Sequence, residues 1–134
     1  MDQPFFDLSE GDTPLVAAAV HDGHVVRPEL TAHFALGDLE RLREEDPFTG
    51  AWTEVASTRI IGRRSRFEVD LNRPPEKAVY LKPEDAWGLQ VWKGDLPDDI
   101  ARRSRVQYDD FYTRMHELFS RMTERFGRFI VYDL

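Results

Sequence analysis

The sequence contains no cysteine among its 134 residues. This absence excludes disulfide scaffolds, zinc sites built from thiolates and catalytic cysteines. Basic residues are also in deficit, since 18 lysines and arginines stand against 25 aspartates and glutamates, for a formal net charge of −7. Phosphate neutralisation requires a net basic face, so we expect neither nucleic acid nor a membrane as a partner.

Long apolar stretches are lacking as well. The longest run, Leu15–Val20, is far shorter than the roughly 20 residues that a membrane span requires. The first residues do not form a basic segment followed by a long apolar one, which is the pattern of a secretory signal. We therefore expect a cytoplasmic chain, and the length fits a single domain over residues 1–134.

The apolar patterns that are present predict an α/β fold with a mainly parallel or mixed sheet flanked by helices. The segment Pro14–Val20 is typical of a strand buried on both faces. Apolar residues at spacings of three and four predict a long helix from about Pro97 to Phe126. Gly127 is a suitable helix stop, and residues 128–134 are predicted to form a second buried strand.

Shorter patterns lie between these two strands. Two further strands are predicted, one over Trp52–Ile61 and one with alternating apolar residues over Ser65–Leu71. A polar helix is expected from Gly37 to Glu45, followed by a loop over Asp46–Gly50. The segment Ala78–Trp92 is predicted to be a short hairpin or an irregular excursion.

A first candidate site, His21-Asp22-Gly23-His24, follows the first buried strand. Functional groups in open α/β sheets collect outside the carboxyl ends of strands, and imidazole is the usual nitrogen ligand of zinc. His21 is the better ligand candidate of the two histidines because it directly follows the strand. The alternative is a solvated turn in which Asp22 and Gly23 make the bend.

A second candidate is the acidic run Glu44-Glu45-Asp46 at the end of the predicted polar helix. Carboxylates are unfavourable at this end of a helix dipole, which is a mild indication that a cation balances them. One of them is a candidate to complete a metal site with His21. The alternative is that the run is simply hydrated.

A third candidate is the pair Asn72 and Arg73 at the predicted end of the second alternating strand. An arginine beside an amide side chain is suited to hold a carboxylate through two parallel hydrogen bonds. The alternative is that Arg73 pairs with an acidic neighbour such as Asp70 on the surface.

Together these features resemble the N-formylglutamate amidohydrolase family. The most specific stretch is Arg66–Pro74, which contains the run Arg-Phe-x-Val-Asp-Leu-Asn-Arg. His21 matches the histidine of the family's Pro-His-Ser-Gly segment, although Val20 and Asp22 replace its proline and serine. The resemblance covers about residues 14–133 and implies a fold similar to those of the zinc carboxypeptidases and aspartoacylases.

The resemblance implies hydrolysis of an amide bond in a small acidic N-acyl amino acid similar to N-formylglutamate. Zinc would be held by His21 and a carboxylate, with Glu45 preferred and Asp46 as its rival. Asn72 and Arg73 would hold the substrate carboxylate, and Arg66 or Arg64 would add a second anionic contact.

Members of the family continue past the last predicted strand, which in them ends in Asp-x-His-Ser and supplies a third metal ligand. This sequence ends at Leu134, one residue before that histidine, and the family's later catalytic carboxylate has no counterpart in it. We therefore expect the N-terminal half of the family's domain, truncated on its C-terminal side. His24, His33 and His116 are the available substitutes for the third ligand.

Three interpretations of the whole chain remain open. It is the N-terminal part of a zinc-dependent amidohydrolase, a catalytically inactive carboxylate-binding or protein-interaction domain of the same fold, or an unrelated α/β domain. An incomplete sheet exposes an edge and an apolar face. We therefore expect a homo-oligomer, or pairing with the missing C-terminal half.

Overall fold

The computed structural model describes residues 4–134. Within them a four-stranded sheet forms from β1 (Phe6–Ser9), β2 (Leu15–Ala19), β3 (Thr58–Gly62) and β4 (Ile130–Asp133), in the spatial order β1-β3-β2-β4. β1 is antiparallel to β3, whereas β3 and β4 flank β2 in parallel. The predicted α/β class with a mixed sheet is confirmed.

The helices lie between and beside these strands. They are α1 (Pro28–Thr31), α2 (Asp38–Glu44), α3 (Thr49–Trp52) and α4 (Asp98–Phe126). Three short 3₁₀ turns cover Thr53–Val55, Pro75–Lys77 and Pro83–Ala86. None of the helices described in the structure is both long and apolar enough to cross a bilayer.

β2 is the central parallel strand, and its burial explains its unbroken apolar sequence. Val16, Ala17 and Ala19 are completely buried. In the register, Val16 lies opposite Thr58 on β3 and Val131 on β4. Because a strand with parallel partners on both sides is covered on both faces, no polar alternation is expected.

The long helix α4 forms as the sequence predicts. It begins at Asp98 after Pro97 and ends at Phe126 before Gly127, which has a positive φ of 74°. A glycine adopts that conformation without a steric penalty. One stripe of the helix packs into the same core as the sheet residues. That stripe consists of Ile100, Tyr108, Phe111, Met115, Leu118 and Met122.

The predicted strand over Ser65–Leu71 is wrong, because residues 66–68 form a turn, residues 69–70 are irregular and a further turn begins at Leu71. Its alternating apolar side chains are buried, and the polar residues Ser65, Glu68 and Asp70 of the same segment are buried as well. Their polar groups bind partners that the sequence pattern does not show, such as the backbone N–H of Arg27 on Glu68. The alternation of apolar and polar residues therefore does not mark a strand with one buried face, because both kinds of side chain are buried in an irregular segment.

The structure also tests the predictions for two other segments. Of the predicted strand Trp52–Ile61, only Thr58–Ile61 belongs to β3. Residues 52–55 instead form the end of α3 and a 3₁₀ turn, where the Thr53 hydroxyl donates to the Gly50 carbonyl over 2.6 Å. Local bonds of this kind compete with strand pairing. Ala78–Trp92 is irregular with a 3₁₀ turn, which agrees with the second of its two predicted alternatives, and β1 was not predicted.

β4 occupies the predicted position but is not buried. All four of its residues are exposed or nearly so along the sheet edge, including Ile130, Val131 and Tyr132. The reason is that no strand pairs with its outer side within residues 4–134. An exposed apolar edge strand is a template for pairing with another strand.

Candidate functional site

The candidate site lies at the carboxyl ends of the parallel strands. His21 is two residues beyond the end of β2, and its backbone carbonyl accepts a hydrogen bond of 2.9 Å from the N–H of Asp46. This bond brings the end of α2 to His21. The irregular segment after β3 supplies Asp70, which lies within reach of the same histidine.

Asp70 is the fully buried centre of the site. Its Oδ1 lies 2.7 Å from Nε2 of His21 and accepts the backbone N–H of Asn72 over 2.9 Å. Its Oδ2 accepts from Nη2 of Arg66 over 3.1 Å and from the hydroxyl of Tyr80. One carboxylate therefore joins four separate positions of the chain.

These contacts keep Asp70 ionised. Burial alone would raise its pKa, but the hydrogen bond and electrostatic interaction with His21, the hydrogen bond from Tyr80 and the positive charge of Arg66 outweigh burial and hold the pKa well below its ordinary value. The same carboxylate acts in the opposite direction on Tyr80. Burial is the main cause that raises the pKa of the Tyr80 hydroxyl, and the charge of Asp70 raises it further. The hydroxyl therefore stays protonated and donates.

The ionised state of Asp70 determines which nitrogen of His21 carries the proton. A carboxylate only accepts hydrogen bonds, so Nε2 of the neutral imidazole must be the donor. The lone pair of Nδ1 is then available, and Nδ1 lies 3.5 Å from Oδ2 of Asp46. A histidine held by a carboxylate in this way is the usual arrangement of a metal ligand.

Of the two candidate carboxylates, only Asp46 faces His21. Glu45 is buried next to His24, whose Nδ1 lies 2.9 Å from its Oε1, and its Oε1 is also 3.6 Å from Nη1 of Arg41. Asp46 is about half exposed. The structure therefore places the two adjacent acids in different surroundings.

The guanidinium group of Arg66 is engaged by other residues of the chain. Its three guanidinium nitrogens contact the Tyr80 hydroxyl at 3.1 Å, the Glu44 carbonyl at 2.9 Å and Oδ2 of Asp70 at 3.1 Å. In this arrangement Arg66 holds Asp70 in place, and its predicted contact with a substrate anion stays a prediction.

The side chain of Arg73 is partly exposed, and that of Asn72 is exposed. Nη1 of Arg73 donates to the Asp85 carbonyl over 2.8 Å, and its Nε lies 3.6 Å from Oδ2 of Asp70. Its Nη2 and the exposed side-chain amide of Asn72 have no hydrogen-bond partner in the described part of the chain. Arg73 thus lies near Asp70, as the alternative predicted, but Asp70 is buried rather than on the surface, and Arg73 is itself only partly exposed.

The remaining histidines do not complete a ligand set. His33 lies in a turn after α1, and His116 lies on the exposed side of α4. Among residues 4–134, no three histidine, aspartate or glutamate side chains are grouped so as to hold a metal ion. The third ligand stays an expectation from the resemblance.

Sequence reasoning missed Tyr80 and underrated Asp70. Tyr80 stands in the irregular segment after two prolines, where no periodicity marks it as a partner of Asp70. Asp70 belongs to the motif of residues 66–73, but its role is set by a buried contact with a histidine 49 positions away. Only the three-dimensional structure shows that contact.

Fold and site together define an α/β chain with a polar site at the carboxyl ends of its parallel strands. The family model of N-formylglutamate amidohydrolase matches residues 13–134, and the chain belongs to this family. The resemblance noted from Arg66–Pro74 is thereby confirmed. Among curated proteins, none matches the chain significantly.

A solved structure supports the fold assignment. The chain is similar to the crystal structure of N-formylglutamate amidohydrolase from Ralstonia eutropha JMP134, with a TM-score of 0.73 and 20% sequence identity. The match covers 96% of this chain and 55% of that one. At this identity the likeness concerns the fold, and the chain spans about half the length of that relative.

The contacts of Asp70 predict a specific pH dependence of stability. Replacing Asp70 by Asn should lower the free energy of unfolding at pH 7 by about 3–5 kcal/mol, because it removes one partner of a buried ion pair. The folded pKa of Asp70 lies below its unfolded value of about 3.9, so its stabilisation is present above that pH and is lost as the pH falls.

The difference between wild type and Asp70→Asn should therefore shrink below about pH 4. Urea unfolding at pH 7, 5 and 3.5 measures it, and Asp109→Asn, on the exposed side of α4, is the control. A difference that stays constant down to pH 3.5 would contradict this role of Asp70.

Proposed function

We propose that this chain provides the metal-binding and carboxylate-binding residues of a zinc-dependent amidohydrolase. The substrate is a small acidic N-acyl amino acid similar to N-formylglutamate, and the reaction is hydrolysis of its amide bond. The observation that carries this proposal is that Asp70 contacts both the candidate metal ligand His21 and the pair Asn72 and Arg73.

The charges around Asp70 favour an anionic ligand. Arg66 and Arg73 both approach the same carboxylate oxygen, at 3.1 and 3.6 Å. Two guanidinium groups against one carboxylate leave one positive charge in surplus, and Arg73 is the more exposed of the two. A ligand carboxylate at Nη2 of Arg73 and the Asn72 amide would balance that charge.

The donor set around His21 is compatible with zinc. Two ligand atoms about 2.0–2.2 Å from a tetrahedral zinc ion lie about 3.4 Å apart, and Nδ1 of His21 and Oδ2 of Asp46 are 3.5 Å apart. We propose these two atoms as ligands. Glu45 is less suited, because His24 and Arg41 already engage its carboxylate.

Zinc, when bound, supplies a water of lowered pKa and polarises the amide carbonyl. The residues of this chain have the complementary tasks. Asp70 keeps the proton of His21 on Nε2 and so leaves Nδ1 unprotonated. Asn72 and Arg73 hold the substrate carboxylate and thereby fix the distance of the amide from His21.

Zinc binding tests the metal part of the proposal. We expect about one zinc ion per chain at neutral pH, with binding abolished in His21→Ala and weakened by an order of magnitude or more in Asp46→Ala. Isothermal titration with zinc chloride measures both effects, and Glu45→Gln and His116→Ala should retain zinc. Wild-type protein without zinc, or equal loss in His116→Ala, would contradict the assignment.

Ligand binding tests the carboxylate part. Arg73→Ala should weaken binding of N-formyl-L-glutamate roughly 10- to 100-fold, because a charge-assisted hydrogen bond contributes about 1.5–3 kcal/mol. Arg73→Lys keeps the charge but loses the two-pronged geometry, so it should recover only part of the affinity. Arg103→Ala removes an exposed arginine of α4 and is the control. Unchanged affinity in Arg73→Ala would remove this residue from the site.

A catalytically inactive carboxylate-binding domain of the same fold is the second candidate function. It rests on the same exposed donors of Arg73 and Asn72 and differs in needing no metal. Binding of N-formyl-L-glutamate that is indifferent to zinc and to His21→Ala would favour it. In either case we propose that the exposed edge of β4 pairs with a further strand, from a second copy or from another part of the protein.

A further inference from the structure

Trp87 is an exposed residue with an unusual backbone conformation. It is 55% exposed, yet it has a φ of 54° and a ψ of 28°, in the left-handed region. A bulky residue is rarely found there, since the conformation is unfavourable for any side chain with a Cβ. The next residue, Gly88, also has a positive φ, of 88°, but a glycine adopts such a conformation without a steric penalty.

The left-handed backbone places the indole ring against the two arginines of the site. The guanidinium carbon of Arg66 lies 4.8 Å from the centre of the ring, and that of Arg73 lies 5.6 Å from it. Arg73 is also 4.8 Å from the ring centre of Tyr80, which meets the indole edge to face at 6.0 Å. The guanidinium of Arg73 therefore contacts two aromatic rings.

The same turn fixes Arg73 from its backbone. The Asp85 carbonyl, two residues before Trp87, accepts the hydrogen bond from Nη1 of Arg73. Ring contact and carbonyl contact leave Nη2 as the guanidinium nitrogen with no polar contact among the described residues. Each comes from the segment around the 3₁₀ turn Pro83–Ala86, which the proposed reaction does not otherwise use.

We infer that Trp87 is a positioning residue for the carboxylate ligand, and that it acts by holding the guanidinium of Arg73 between its indole ring and Asp70. This inference rests on the proposed carboxylate site. The negative face of the indole offsets the repulsion between two neighbouring guanidinium groups, which a single carboxylate balances incompletely. The ring also excludes water from one side of Arg73, which strengthens its interaction with an incoming carboxylate.

Three substitutions of Trp87 distinguish the effect of its indole ring from the effect of its left-handed backbone conformation. Trp87→Phe keeps an aromatic face, while Trp87→Ala and Trp87→Gly both remove it, and only glycine relieves the left-handed conformation. We expect Trp87→Ala and Trp87→Gly to bind N-formyl-L-glutamate about five- to tenfold more weakly than wild type. Trp87→Phe should recover at least half of the lost binding free energy, and Trp87→Gly should melt at a temperature at least as high as that of Trp87→Ala.

Trp52 provides the matched control, because it is a similarly exposed tryptophan, at 61%, on α3. Trp52→Ala should leave affinity for N-formyl-L-glutamate unchanged. Affinity in Trp87→Ala and Trp87→Gly equal to wild type would overturn the inference. So would recovery in Trp87→Gly alone, since it would assign the effect to the backbone.

A second readout does not depend on the ligand. The side-chain Nε–H signal of Arg73 in an NMR spectrum should be shifted by the ring currents of both Tyr80 and Trp87, so the signal should move in Trp87→Ala and stay in place in Trp52→Ala. An unchanged Arg73 signal in Trp87→Ala overturns the inference. If wild type shows the ring-current shift but binds no N-formyl-L-glutamate, the proposed substrate class fails while the positioning of Arg73 by Trp87 stands.

Discussion

The interaction on which the site depends is the buried contact between Asp70 and His21. It joins two segments 49 residues apart and determines the protonation pattern of the imidazole. A buried carboxylate is stable only when it is fully hydrogen-bonded, which explains why Arg66, Tyr80 and the backbone of Asn72 converge on the same group. Removing any of these partners leaves a charge or a donor in the interior.

The sheet makes this contact possible. β2 ends at Ala19 and delivers His21 to the carboxyl edge of the sheet, and the chain after β3 returns past the same edge. Gly62, at the end of β3, has no room for a side chain, because a Cβ there would lie 2.4 Å from the Val20 carbonyl oxygen. The end of β3 therefore lies in close backbone contact with the residue that precedes His21.

Regular patterns in the sequence were sufficient to predict β2, α4 and the position of β4, because each of these elements follows from the pattern of apolar residues. The motif of residues 66–73 was sufficient for the family. The strand predicted over Ser65–Leu71 was wrong because its alternating apolar residues are buried in an irregular segment whose polar groups bind distant partners. For the same reason, the roles of Tyr80 and Trp87 could not be predicted: both depend on contacts made across the fold.

¹⁵N NMR of the histidine ring in the metal-free protein at neutral pH shows whether Asp70 fixes the tautomer of His21. We expect a protonated Nε2 and an unprotonated Nδ1 in the neutral ring. A neutral His21 that carries its proton on Nδ1 would contradict this expectation, because Asp70 would then not be the acceptor and Nδ1 would not be free to bind a metal.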